Sequence, residues 1–162
     1  MAAIQTTTVP ALAATEIWPA TLRQRAELPV RALSVSEHQT NQKALRRMLG
    51  DTPWQLLTAT TCRMAEQKLR GSAILVVFCE SSLPDGSWKD VLEMISQLEE
   101  PPLLVVTSRL ADDLLWSEVL NLGGYDVILT PYVEDEVRRL LTSVWTRHFN
   151  LLPKVRAVSA AG

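Results

Sequence analysis

The sequence predicts an α/β domain on a five-stranded, doubly wound parallel sheet, and three observations carry that prediction. Short apolar runs alternate five times with amphipathic stretches, as a parallel sheet covered by helices on both faces requires. The most hydrophobic run, Ile74 to Cys79, shows no polar alternation and suits a central strand buried on both sides. Glycine or proline stands where most of the amphipathic stretches should stop.

The first strand is expected from Val30 to Val35. A polar loop, Ser36 to Gln39, leads to a helix over Asn41 to Leu49 with Ala44, Leu45, Met48 and Leu49 at helical spacing, ended by Gly50. Trp54 to Ala59 reads as the second strand, and Thr60 or Thr61 can cap a helix running through Ala65 and Leu69 to Gly71. The third strand ends at Cys79, and Glu80 to Gly86 forms a turn-rich loop. A helix with Trp88, Val91, Leu92, Ile95 and Leu98 on one side follows, broken by Pro101 and Pro102. Leu103 to Val106 is the fourth strand. Thr107 and Ser108 lead to a helix carrying Leu114, Leu115, Val119 and Leu122, which stops at Gly123 and Gly124. Val127 to Leu129 is a short fifth strand. After Thr130 and Pro131, Val133, Val137, Leu140, Leu141, Val144 and Trp145 keep the spacing of a long amphipathic helix.

Residues 1 to 29, rich in Ala, Thr and Pro, read as a flexible arm, residues 30 to 149 as the domain, and residues 150 to 162 as a flexible tail. With 162 residues, 47% of them hydrophobic, and a net charge of −2, the chain has the composition of one ordinary soluble domain. That balance points away from nucleic acid, and no apolar stretch nears the roughly 18 to 20 residues that span a bilayer. The N-terminus lacks the basic region of a cleaved signal peptide, so the protein is expected to be cytoplasmic.

Cys62 and Cys79 lack ligand spacing and lie in apolar stretches, so both read as buried thiols. His38 and His148 stand apart and read as solvent-exposed. Four tryptophans, at 54, 88, 116 and 145, fall one per segment and read as core, except that Trp116, if exposed, would mark a partner surface. The acidic run Glu134 to Glu136 suits the positive end of the last helix, and the pairs Arg46-Arg47 and Arg138-Arg139 belong on solvated faces.

In doubly wound sheets, chemistry collects at the carboxyl ends of the strands. Here that singles out Ser36, Glu37, Glu80, Thr107 and Thr130. Neither GxGxxG nor GxxxxGK[ST] occurs, and no Ser-His-Asp or Cys-His set falls at a strand end, so the chain is not expected to be an enzyme.

The order of these residues resembles the response-regulator receiver family of two-component and phosphorelay signalling, over roughly residues 30 to 147. Glu80 with Pro84 and Asp85-Gly86 is similar to the family's third-strand loop, Thr107-Ser108 to its Thr-small pair, and Gly123 to Tyr132 to the segment that normally ends in Lys-Pro-Phe. The resemblance implies a flavodoxin-like sheet, with strand order 2-1-3-4-5, as in chemotaxis-type regulators.

The departures from the family imply a degenerate pseudo-receiver. Glu80 takes the place of the phosphoacceptor aspartate, Ser36 and Glu37 the place of two metal-binding aspartates, and Thr130 the place of the lysine. A carboxylate one methylene longer displaces the nucleophile by about an ångström, which can lower a rate by about 10²-fold. Ser36 offers no charge to a cation, so no cofactor is expected beyond weak Mg²⁺ at Glu37 and Glu80, and Thr130 removes the compensating positive charge. Glu80 then reads either as a partial stand-in for the phosphorylated aspartate, accepting a hydrogen bond from Thr107, or as a lapsed carboxylate. Val127 stands where the family carries its switch aromatic.

Only about a dozen residues follow the last helix in this chain, so the domain is expected to act through a protein partner, a kinase or another regulator, or as a homodimer, with no nucleic acid and no membrane. The alternative is a sensor that binds a small molecule or ion in the pocket of Ser36, Glu37, Glu80, Thr107 and Thr130.

Overall fold

The structure is a computed structural model and describes residues 30–151. The arm read over 1–29 lies outside the described residues, as does the tail beyond residue 151. Five parallel strands make one sheet: β1 (Val30–Val35), β2 (Trp54–Ala59), β3 (Val76–Glu80), β4 (Leu103–Ser108) and β5 (Asp126–Leu129). They lie in the order β2-β1-β3-β4-β5, which is the expected order. Between them run α1 (Gln39–Leu49), α2 (Cys62–Gly71), α3 (Trp88–Ser96), α4 (Asp113–Leu122) and, after β5, α5 (Glu134–Leu151).

The central strand β3 is buried at every residue, as its unbroken apolar run requires. Its side chains alternate between two cores. Val77 and Cys79 join Leu33, Val35, Ala65, Trp88, Val91 and Val119 under α2, α3 and α4. Val76 and Phe78 join Ala32, Leu45, Val105, Ile128, Leu141 and Val144 under α1 and α5. Trp54 and Trp145 meet edge to face at 5.9 Å in this second core.

Local signals decide where the helices begin. Thr61 caps α2 by accepting from the Met64 N–H, and Asp112 caps α4 by accepting from the Leu115 N–H. Ser87 and Asp90 form a capping box at the start of α3. Gly123 ends α4 at φ 105°, a left-handed turn that favours glycine. Gly50 behaves differently from the sequence expectation, because it keeps helical dihedrals after α1.

Other expectations need correction. Val133 precedes α5 and is 57% exposed, and Leu114 and Leu122 are exposed rather than packed, because only Val119 of α4 is buried. The loop after β3 folds into a small hairpin, Ser82–Leu83 against Gly86–Ser87, which the turn residues alone did not predict. His148 is half-buried instead of exposed, and burial lowers its pKa, with Glu100 opposing.

Gly124 follows the left-handed turn so closely that an added Cβ would strike Val119 Cγ1 and lie 2.9 Å from the Val119 carbonyl oxygen. Gly124→Ala should therefore destabilise the domain by about 1–3 kcal/mol, read as a lower urea midpoint at unchanged slope.

Candidate functional site

The carboxyl ends of β1, β3 and β4 and the turn after β5 bring Ser36, Glu80, Thr107 and Thr130 to one edge of the sheet, all four buried. Parallel pairing does this without any side-chain contact: β3 and β4 align in register, so Glu80 lies opposite Thr107. Backbone bonds fix the rest of the edge. The Ser36 N–H donates to Ala59 O, Ser81 N–H to Thr107 O and Thr130 N–H to Ser108 O, at 2.9–3.0 Å. Glu37, by contrast, is exposed beyond β1.

Glu80 ends β3 inside the strand rather than in the loop, with 12% of its side chain exposed. Its carboxylate turns toward the first turn of α1. Asn41 Nδ2 donates to Glu80 Oε1 at 3.0 Å, and His38 Nε2 stands 3.9 Å from the same oxygen. Neither residue was legible as part of the site from sequence. Asn41 carries no motif, and His38, expected in solvent, keeps 43% of its side chain exposed while facing Glu80. Their places on the N-terminal turn of α1, directly after β1, were the available signal.

The Ser36 hydroxyl is used locally: it accepts from the His38 N–H at 3.0 Å in a short turn that starts α1. Gln42 Nε2 donates to the carbonyl oxygens of Ser36 at 2.7 Å and Ala59 at 3.0 Å, which ties the ends of β1 and β2 together.

The Thr107 side chain meets the hydroxyl of Tyr132, and among the described residues the side-chain hydrogen bond that Glu80 accepts comes from Asn41. Tyr132 is buried, and its ring stands edge to face on Phe78 at 6.2 Å. Burial pushes the Tyr132 hydroxyl well above the ordinary tyrosine range, with Thr107 opposing and the Glu80 charge adding, so the phenol stays neutral. The Thr130–Pro131 peptide is cis.

The hairpin after β3 is anchored to α2. The Asp85 carboxylate accepts from the Cys62 N–H at 2.7 Å and the Arg63 N–H at 3.0 Å, two donors at the start of a helix that have no partner within it. These bonds hold its pKa below the usual carboxylate range. A depressed folded-state pKa gives stability that is present above the unfolded value and lost as pH falls through the folded one. Asp85→Asn should therefore lower Tm at neutral pH, and the gap from wild type should shrink as pH falls through the aspartate range in parallel melts.

Both cysteines are buried and free, as read from the sequence. Burial pushes Cys62 up to about 11, with Asp85 adding, and raises Cys79 further, so both are neutral thiols near pH 7. Among the described residues no cluster of three or more His, Cys, Asp or Glu is placed to hold a metal, and no helix is long and apolar enough to cross a membrane.

With this geometry in hand, comparison with known proteins gives a consistent likeness. The chain is 30% identical over 96 residues to the transcriptional regulatory protein BasR of Escherichia coli, a match covering 57% of this chain and 42% of BasR. The chain thus matches less than half the length of that relative. No family model matches. Among solved structures, the signal receiver domain of a Luxo repressor protein from Vibrio parahaemolyticus superposes with TM-score 0.69 at 22% identity, covering 74% of this chain and 92% of that one. A CheY-like response-regulator receiver protein from Methanospirillum hungatei gives TM-score 0.69 at 15% identity, covering 76% and 98%. The receiver domain of an HD domain-containing protein from Pseudomonas fluorescens gives 0.69 at 19%, covering 76% and 99%. The fold is that of response-regulator receiver domains.

Proposed function

We propose, from the receiver fold, that this chain is a signalling module of the two-component type that works by protein contact and is not efficiently phosphorylated. The observation that carries this reading is the state of Glu80. It is a glutamate at the end of β3, already held by Asn41, with Thr107 against the Tyr132 hydroxyl and threonine rather than a cation at position 130.

Phosphoryl transfer to a carboxylate needs an in-line nucleophile and compensating positive charge. The donor set also fits Mg²⁺ poorly. Ser36 spends its hydroxyl on the α1 turn, Glu37 stands in solvent, and Glu80 alone among the described residues remains as a buried carboxylate at the strand ends. Among the readings of Glu80, the Asn41 bond favours a carboxylate locked toward α1 over one that copies a phosphoryl group by engaging Thr107.

The contact surface is supported by a second feature. Among the described residues, seven of the eight exposed large hydrophobic residues lie between Leu110 and Val133, on α4, the loop before it, the end of β5 and the turn after it. Trp116, 49% exposed, is among them, which is where the sequence allowed for a partner surface. A sensor kinase, another regulator or a second copy would meet the domain there.

Incubation with acetyl phosphate and Mg²⁺, followed by intact-mass measurement that preserves acyl phosphates, tests the reading. Wild type should stay unmodified while a conventional receiver labels in parallel. A phosphoryl adduct lost in Glu80→Gln would make this an unconventional but working phosphoacceptor.

A further inference from the structure

A groove of about 500 Å³ runs between α4 and α5 over the edge strand β5. Trp116, Leu120, Ile128 and Leu140 give it apolar walls, and its charged lining is Asp126, Glu136 and Arg139, a net negative set in which neither carboxylate has an ion-pair partner within 4.0 Å among the described residues. Strand addition is disfavoured here, because the Asp126 carboxylate accepts the Val127 N–H at 2.8 Å and so blocks one of the few donors of a short edge. The groove is built to receive side chains.

We infer that its occupant is a segment of the same chain, residues 16–25, with Trp18 among the apolar walls and Arg23 and Arg25 against Asp126 and Glu136. Three features of the molecule lead there. The sequence before β1 holds Ile17, Trp18 and Leu22, followed by the two arginines, a composition that complements both the walls and the carboxylates.

Reach is the second. The segment joins the domain at Val30, the amino end of β1, and Tyr125 and Asp126 stand at the amino end of β5, on the same edge of a parallel sheet. β1 and β5 are separated by β3 and β4, so the crossing is roughly 14 Å at about 4.8 Å per strand. The chain from Trp18 to Val30 can extend to roughly 40 Å.

Size is the third. The groove is lined by nine residues, against the roughly 20 to 30 a side of a stable complex between separate proteins. A contact that small is weak between free molecules, but a short tether supplies an effective concentration in the millimolar range. This favours a tethered segment over a second copy. The segment then covers part of the surface given above to a partner. That competition rests on the proposed function, whereas the docking does not and is read on the isolated protein.

Hydrogen exchange should be compared among the full chain, the chain lacking residues 1–28, and the full-length variants Trp18→Ala and Leu120→Asp. Leu120 is 37% exposed, so its substitution leaves the core intact. The expected result is a loss of protection in α4 and the first three turns of α5 in all three variants, with β1 and β2 unchanged. A synthetic peptide of residues 12–28 should restore the protection to the truncated chain and fail to do so when that chain also carries Leu120→Asp. Equal exchange in the full chain, the truncated chain and Trp18→Ala overturns the inference. So does protection that vanishes on dilution, with light scattering showing dimers, because a second copy would then fill the groove.

Discussion

Phe78→Ala should leave a large part of the protein unfolded in dilute urea. Phe78 is 1% exposed, lies in the central strand and supports the Tyr132 ring edge to face. Truncating a buried phenylalanine costs about 3–5 kcal/mol, because the lost transfer energy is joined by an unfilled cavity. A domain of this size has about 5–15 kcal/mol in total. The strands on either side are fixed by ladder bonds, so the site has little freedom to collapse. Urea unfolding followed by circular dichroism checks the prediction, with Phe78→Leu as the volume-sparing control. If the two variants unfold at the same midpoint, the second core is softer than its burial indicates. The site would feel the change as well, since Tyr132 reaches Thr107 from this ring contact.

The second large effect is a gain. The triple variant Ser36→Asp, Glu80→Asp, Thr130→Lys should label with acetyl phosphate in Mg²⁺ at least about 10²-fold faster than wild type, since removing a misplacement of about one ångström is worth that much once the charges around the nucleophile are in place. Each change returns one missing requirement: a charged ligand at the end of β1, a nucleophile at the shorter reach, and a cation for the developing charge. Glu80→Asp alone should gain little, because neither charge is restored. Rapid labelling of the single variant would mean that side-chain length was the whole defect. A folded triple variant that stays unlabelled would place the block elsewhere, in the Asn41 contact or in the hairpin that Asp85 fastens to α2.

The architecture of this protein is legible in the order and spacing of its apolar residues. The apolar run Ile74 to Cys79 called for a strand covered on both faces, which the structure has at Val76–Glu80, and Val137, Leu140, Leu141 and Val144 keep the spacing that buries together on a helix. Such patterns are legible because burial repeats with a fixed period of two or 3.6 residues. The same logic placed Ser36, Glu80, Thr107 and Thr130 at strand ends, where the fold gathers them.

The tertiary structure decided what periodicity cannot express. Leu114 and Leu122 kept helical spacing yet stand exposed, because among the described residues no element covers those sides of α4. Asn41, Asp85 and Tyr132 matter through hydrogen bonds made across 39, 23 and 25 residues of sequence, to Glu80, Cys62 and Thr107. Pairings of that kind depend on where the chain ends of several strands meet and on which way a side chain turns there. Only the packed sheet fixes either, since a polar side chain at a strand end has several neighbours of similar chemistry and no repeat to choose among them.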